Sequence, residues 1–563
     1  MMKSQPSRRR AALLMTAALV GLSPCALAAT EVDRISSAFG AYLAGRSAAQ
    51  AHDLAFAANE LEQAIVDDPG NFELNNQAFL AALLSGQPQM TRLAAALPGN
   101  PLAQIVLADR DAKAGRWDAA EHKFAGLPQQ QVLTQVLRPL VIAWAQQGAG
   151  KTDEALATLA PLIDGPRFRG VYALHAALIA DLAGRPGTAG PLYSRAAADY
   201  GPANLRLSVI LASWQARQGQ LDAAQKTIDD MTRAEGDLAM SRQDLEANVA
   251  TPAVTSAADG IAEAYLAFAA TLREENSELG QAMVRLALEM RPNLVPARLL
   301  LADIQSADKR PEEALATLQS IPLTDPLTPL ITLRRAALLD ATGEADQADA
   351  LLQKLAKEHP DRPEPLAQEG DILRGKKQFA EAAKVYTAAI DRLGTPHRAD
   401  WPLFYARGIS LEQSAQWPPA EQDLRYALQL APDQPSILNY LAYSWTERGE
   451  HLDEARKMLE SALATRPNEG AFIDSLGWVM LRQGDTEGAL VQLLRAAELQ
   501  PEDPVINGHL GDALAAAGRM REAEFQWRRA LILKPDEEDA KKLNAKLAAL
   551  PITDPTSPPA NPH

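Results

Sequence analysis

The sequence predicts an all-α chain built as a solenoid of stacked helix–turn–helix units, and three observations carry that prediction. A small residue recurs every 34 or 35 positions over most of the chain; a second small residue stands twelve positions ahead of nearly every one; and a proline follows the second helix of many units. At 563 residues the chain exceeds what one hydrophobic core usually supports, so several domains or a repeat array are required. It is 47% hydrophobic but only 5% aromatic, a balance rich in alanine and leucine that suits close helix packing. The 38 prolines would damage helix interiors and act here as punctuation between helices.

The small residue near the start of each second helix stands at Ala120, Ala155, Ala189 and Ala224, then at Gly280, Ala314, Ala348, Ala382, Ala420, Ala455, Ala489 and Ala523. Its first-helix partners include Ala143, Ala177, Ala212, Ala302, Ala336, Gly370, Gly408 and Gly511. Two small residues meeting there let paired helices approach closely. The pattern is cleanest near the C-terminus: Leu476-Gly477, Gly484, Ala489, Leu493, Ala496 and Pro501 are repeated 34 residues later as Leu510-Gly511, Gly518, Ala523, Trp527, Ala530 and Pro535. This is the tetratricopeptide-repeat (TPR) pattern. The expected fold is a TPR helix–turn–helix solenoid wound as a right-handed superhelix, with about 12–14 repeats in two blocks and a C-terminal capping helix.

Weaker units extend the array forward through Leu61, Ala64 and Pro69. Between Ala224 and Gly280 the step is 56 residues, and the excess holds Thr251-Pro252 and Thr255-Ser256. The expected organisation is therefore a signal peptide at 1–28, an N-terminal block at 29–237, a linker or ordered loop at 238–260 and a C-terminal block at 261–537. A charged capping helix at 538–550 and a proline-rich, disordered tail at 551–563 complete it.

Lys3 and Arg8 to Arg10 precede the apolar run 11–20, and Ala26-Leu27-Ala28 offers small residues at a cleavage site, so export to the periplasm is expected. Lipid attachment at Cys25, the lone cysteine, is disfavoured by Pro24 in front of it. The formal charge is −16, and removing this leader, which carries four bases and no acid, takes it to −20. So acidic a chain lacks the basic stripe that nucleic acid requires. No segment beyond the leader has the ~20 apolar residues of a transmembrane helix.

The stretch 439–535 carries a more specific phrase: Asn439-Tyr440-Leu441-Ala442-Tyr443-Ser444, then Asp474-Ser475-Leu476-Gly477-Trp478, then Pro504-Val505-Ile506-Asn507 with His509-Leu510-Gly511-Asp512. It resembles a family of exported TPR proteins of Gram-negative envelopes, which includes a lipoprotein adaptor that brings substrates to a periplasmic carboxy-terminal processing protease. The resemblance covers about 260–550 and implies a periplasmic adaptor or scaffold. Its implied partners are other proteins, a processing protease and its cell-wall hydrolase substrates among them. A structural scaffold in an envelope assembly such as polysaccharide export is the alternative.

The tempting catalytic motif is Ala145-Gln146-Gln147-Gly148-Ala149-Gly150-Lys151-Thr152, a relaxed phosphate-binding loop. Its glycine falls on a repeat turn flanked by Ala143 and Ala155, so a helix–turn–helix reading is preferred. The eight histidines show no metal-ligand spacing, and no cofactor or catalytic residue is expected.

One constellation rises above background. The first-helix face opposite the packing seam should line a groove presenting Tyr405, Asn439, Tyr443, Asp474, Trp478, His509 and Asp512. Aromatics with a few acceptors suit gripping an extended segment of a partner. Trp417, Trp445 and Trp527 fall on seam positions and are expected in the core.

Overall fold

The computed structural model describes residues 31–128, 132–200, 204–234, 236–272 and 277–550. The expected leader with Cys25, and the tail at 551–563, lie outside the described residues. Among the described residues the chain forms thirty α-helices, two short 3-10 helices and no strand.

The small-residue beat has a single structural meaning. In all twelve units, from Ala120 in Trp117–Ala125 to Ala523 in Met520–Ile532, it is the fourth residue of the second helix. The alanines of the series are at most 2% exposed, and Gly280 is buried. One turn further on, a large side chain closes over the small residue of the first helix. A Cβ added to Gly370 would lie 2.6 Å from Tyr386, one on Gly477 2.6 Å from Leu493, and one on Gly511 2.4 Å from Trp527. Burying each such side chain contributes about 1.5–3 kcal/mol. The helix pair is thus a glycine or alanine floor under a bulky lid.

Two compact units divide the chain, and they do not follow the contiguous division expected at 238–260. Among the described residues one holds 31–196 with 254–297; the other holds 197–253 with 298–550. In the first unit the pair Ala257–Leu272 and Ser277–Met290 packs against helices more than a hundred residues earlier. Gly260 sits against Trp144, where a Cβ would come within 2.2 Å of the indole. Tyr265 donates to Asp109 at 2.6 Å, and Gln281 and Arg285 donate to the Leu84 carbonyl at 3.1 and 2.7 Å. These buried polar contacts fix that pair there, because leaving any of the groups unpaired would cost about 1–3 kcal/mol.

The expected linker is split between the units at 253/254, and its part in the second unit is ordered. It holds the 3-10 helix Gly236–Ser241 and the short helix Arg242–Ala247. Leu238 and Met240 are buried at 1% and 2% exposure, and the 3-10 turn rests on the helix Thr328–Ala341. At its other end Asp536 caps the helix Glu537–Ala548, accepting from the Asp539 amide at 2.9 Å. Leu543 of that helix enters the same core cluster as Trp527 and so covers the last repeat.

Candidate partner-binding groove

Four first helices of the second unit carry the candidate residues: Trp401–Gln413, Pro435–Arg448, Gly470–Arg482 and Pro504–Ala516. Proline near the start of three of them supplies a preset φ where no amide partner is needed. The Asp503 carboxylate accepts from the amides of Val505 and Ile506 at 2.8 and 3.1 Å and starts the last one.

The structure brings Tyr443, Asp474, Trp478 and His509 together. His509 is 9% exposed and Asp474 4%. The imidazole Nδ1 lies 2.9 and 3.1 Å from the two Asp474 oxygens. Its ring stacks on Trp478 with centroids 4.2 Å apart and planes within 12°. Tyr443 stands 6.2 Å away, tilted by 44°. Burial works against a charge on His509, but the nearby Asp474 outweighs it, with Asp512 and Glu447 adding to the effect, and the histidine pKa is raised. Burial also pushes the Tyr443 phenol well up, reinforced by the surrounding carboxylates of Glu447 and Asp474. Tyr443 is therefore a neutral hydrogen-bonding group, while the Asp474 carboxylate is committed to orienting His509.

The remaining candidates lie around this cluster. Tyr405 belongs to an upstream aromatic ladder, edge-on to Trp401 at 5.7 Å and to Tyr440 at 5.8 Å. Asn439 is half-buried and its side-chain oxygen is enclosed without a hydrogen-bond donor. Asp512 accepts from the indole of Trp527 at 2.9 Å and from Lys546 of the terminal helix at 2.6 and 2.7 Å. It ties the terminal helix to the last repeat.

Trp445 and Trp527 lie in the core at 1% and 5% exposure, whereas Trp417 is only partly buried beneath the Arg448 guanidinium, 3.9 Å from its ring centroid. Glu447 and Arg482 were not anticipated. The Trp478 indole donates to Glu447 at 2.6 Å, and the Arg482 guanidinium lies 5.8 Å from the Trp478 ring. Each stands four residues beyond an anticipated aromatic, so the same helical face would have revealed them.

The phosphate-loop-like segment is a turn between helices. Leu140 to Ile142 lie inside the helix Val132–Gly148, and Gly150 takes φ +80°. Lys151 reaches Asp118 at 2.9 Å and Glu121 at 3.5 Å. Gly148 is there for packing, since a Cβ would meet Trp117 at 2.3 Å. Among the described residues no helix is long and apolar enough to cross a membrane.

Two family models described as tetratricopeptide repeat match the chain, at residues 262–332 and 333–362. The TPR repeat-containing protein PA4667 of Pseudomonas aeruginosa is 29% identical over 181 residues, which is 32% of this chain and 30% of that protein. The match thus spans under a third of the relative's length. Among solved structures the chain is similar to the APC/C hetero-tetramer Cut9–Hcn1, with 14% identity, TM-score 0.38 and coverage of 91% of this chain and 96% of that one. It is also similar to YrrB, described as a TPR protein with an unusual peptide-binding site, with 22% identity, TM-score 0.28 and coverage of 33% and 91%. The repeat matches and the all-helical architecture agree on a TPR solenoid.

Proposed function

We propose that this chain is a non-catalytic protein-binding scaffold of the bacterial cell envelope, and that its C-terminal groove holds a segment of a partner against Trp478 and Tyr443. TPR repeats support protein binding as the general role. The observation that carries the site is the Trp478 indole, partly exposed and held flat by His509 and Glu447. A rigid, partly exposed aromatic beside a neutral phenol loses little entropy on binding, as interface anchors require. The periplasmic location rests on the basic and apolar leader with Ala26-Leu27-Ala28. Delivery of hydrolases to a carboxy-terminal processing protease is the finer proposal, suggested by the phrase at 439–512.

Affinity purification of the tagged full chain from envelope extracts tests it. Recovery of a processing protease or its substrates, dependent on Trp478, is the expected result. Recovery of a polysaccharide-export machine instead would replace the pathway. N-terminal sequencing should find a start at Ala29, and a lipidated Cys25 would overturn the soluble location.

A further inference from the structure

We propose a second binding site in the second unit, where the ordered insertion and three first helices enclose a groove that takes an extended, lysine- or arginine-bearing segment of a partner protein. The inference rests on the protein-binding reading above. It uses none of the residues of the Tyr443–His509 cluster.

The groove encloses about 980 Å³. One wall is the end of the helix Leu221–Ala234 with the 3-10 turn Gly236–Ser241; the other is formed by Thr328–Ala341, Glu364–Gly375 and Trp401–Gln413, and the segment 392–400 also lines the groove. Ala337, Ala367 and Ala406 line it with small side chains, one from each of those first helices, so a main chain can lie close to them. Packed helices stand 8–10 Å apart, so three span about 20 Å, the length of roughly six residues of extended chain.

Its charges decide the ligand. Every arginine in the groove is already committed. Arg242 pairs with Asp229 at 2.7 Å and Glu246 at 2.9 Å, Arg334 with Asp303 at 2.8 Å, and Arg233 with Asp230 at 3.0 Å. Arg362 pairs with Glu364, and Arg392 donates to the carbonyls of Ala356, His359 and Arg362 at 3.0–3.3 Å. Asp371 and Asp400 are likewise satisfied, by Tyr386 at 2.7 Å and the His397 amide at 2.8 Å. Asp237, Asp340 and Asp361 remain, lining the groove with no cationic partner among the described residues. The carboxyl of Glu364 is held above its usual range, by burial first and with the Asp237 charge contributing. An anionic segment would meet arginines already neutralised by carboxylates or carbonyls; a cationic one neutralises three carboxylates that have no counter-charge among the described residues.

The test is fluorescence anisotropy on the full chain with labelled peptides of about eight residues, alternating alanine with lysine or with glutamate. The lysine peptide should bind and the glutamate peptide should not. The triple change Asp237→Asn, Asp340→Asn and Asp361→Asn should weaken the lysine peptide about tenfold at low salt. An equal charge change elsewhere, Glu487→Gln, Glu498→Gln and Glu502→Gln, should leave it within about twofold, which separates the groove from the general field of an acidic chain. Should the asparagine triple melt early, the corresponding aspartate-to-glutamate triple must keep the lysine peptide. Equal loss in both neutralised triples, no loss in the groove triple, preference for the glutamate peptide, or no binding of either would overturn the proposal. Loss on Trp478→Ala alone would move the peptide to the C-terminal groove, ending this inference while the scaffold reading stands.

Discussion

The imidazole of His509 lies flat on the indole of Trp478, centroids 4.2 Å apart, while its Nδ1 holds Asp474 at 2.9 Å. These groups come from adjacent repeats, so the stack couples one first helix to the next and fixes the Trp478 face. The double change Tyr443→Ala and Trp478→Ala should weaken partner capture by about 2 kcal/mol or more, near thirtyfold, since truncated interface aromatics commonly cost that much. Trp445 is the counterpart in the core, 1% exposed under Arg425 and donating to Glu421 at 3.1 Å. Its change to alanine should cost about 3–5 kcal/mol of stability. Binding titrations and thermal unfolding on the two variants check this; a double variant that binds at full strength would make the pair filler between helices.

The His509–Asp474 pair should stabilise the chain more in mild acid than in mild alkali. With the folded-state pKa raised above the unfolded value, its contribution is complete below the unfolded pKa of about 6.5 and is lost as pH rises through the folded one. The melting difference between the native chain and His509→Gln should therefore shrink as pH rises above about 6.5. A difference independent of pH would mean that the pair is neutral throughout.

Asp109 offers a second and opposite use of burial. Its carboxyl is 2% exposed, one oxygen accepts from Tyr265 and the other has no partner. Burial pushes its pKa up to about 8 despite that hydrogen bond. The contribution of the protonated form is complete below about pH 4 and is lost as pH rises to about 8, because only the unfolded chain ionises freely in that window. Asp109→Asn keeps an acceptor for Tyr265 and never ionises. It should raise the melting temperature, by little near pH 4 and by the equivalent of a few kcal/mol near pH 8. A variant that melts below the native chain at pH 8 would show that the ionised carboxylate is needed.

Asp109 also marks where the sequence stops being legible. The repeat beat locates helix pairs well, because a small residue must stand where two helix axes close, and Ala489 or Ala523 does so whatever lies beyond the pair. It says nothing about which pairs stack. That Gly260 seats on Trp144, and Tyr265 on Asp109, depends on side chains more than a hundred residues apart that share no period, and so 254–297 leaves its place in chain order. Helical spacing alone places Tyr443 and Trp478 in phase on successive first helices. That Asp474 would spend its carboxylate on His509 was not legible, because the spacing of 35 residues places them in phase without saying that they meet.

Two glycines in one helix separate packing from propensity. In a helix interior, exchange of glycine for alanine ordinarily gains about 0.5–1 kcal/mol, through the reduced freedom of the unfolded chain. Gly508 is such a site: its added Cβ would find only Leu543 at 3.7 Å, an ordinary contact with the terminal helix. Gly511, one turn on, is the opposite. Its Cβ would lie 2.4 Å from Trp527 Cδ1 and 2.5 Å from Nε1, and that indole cannot swing away without breaking its 2.9 Å bond to Asp512. Since Asp512 also holds Lys546, the strain reaches the helix Glu537–Ala548 that covers the array. Gly508→Ala should therefore stabilise by up to about 1 kcal/mol, and Gly511→Ala should destabilise by about 1–3 kcal/mol while speeding amide exchange in 537–548. Denaturant melts and hydrogen exchange on the two variants read both signs; equal effects would mean that the Trp527 lid is not what sets the helix spacing.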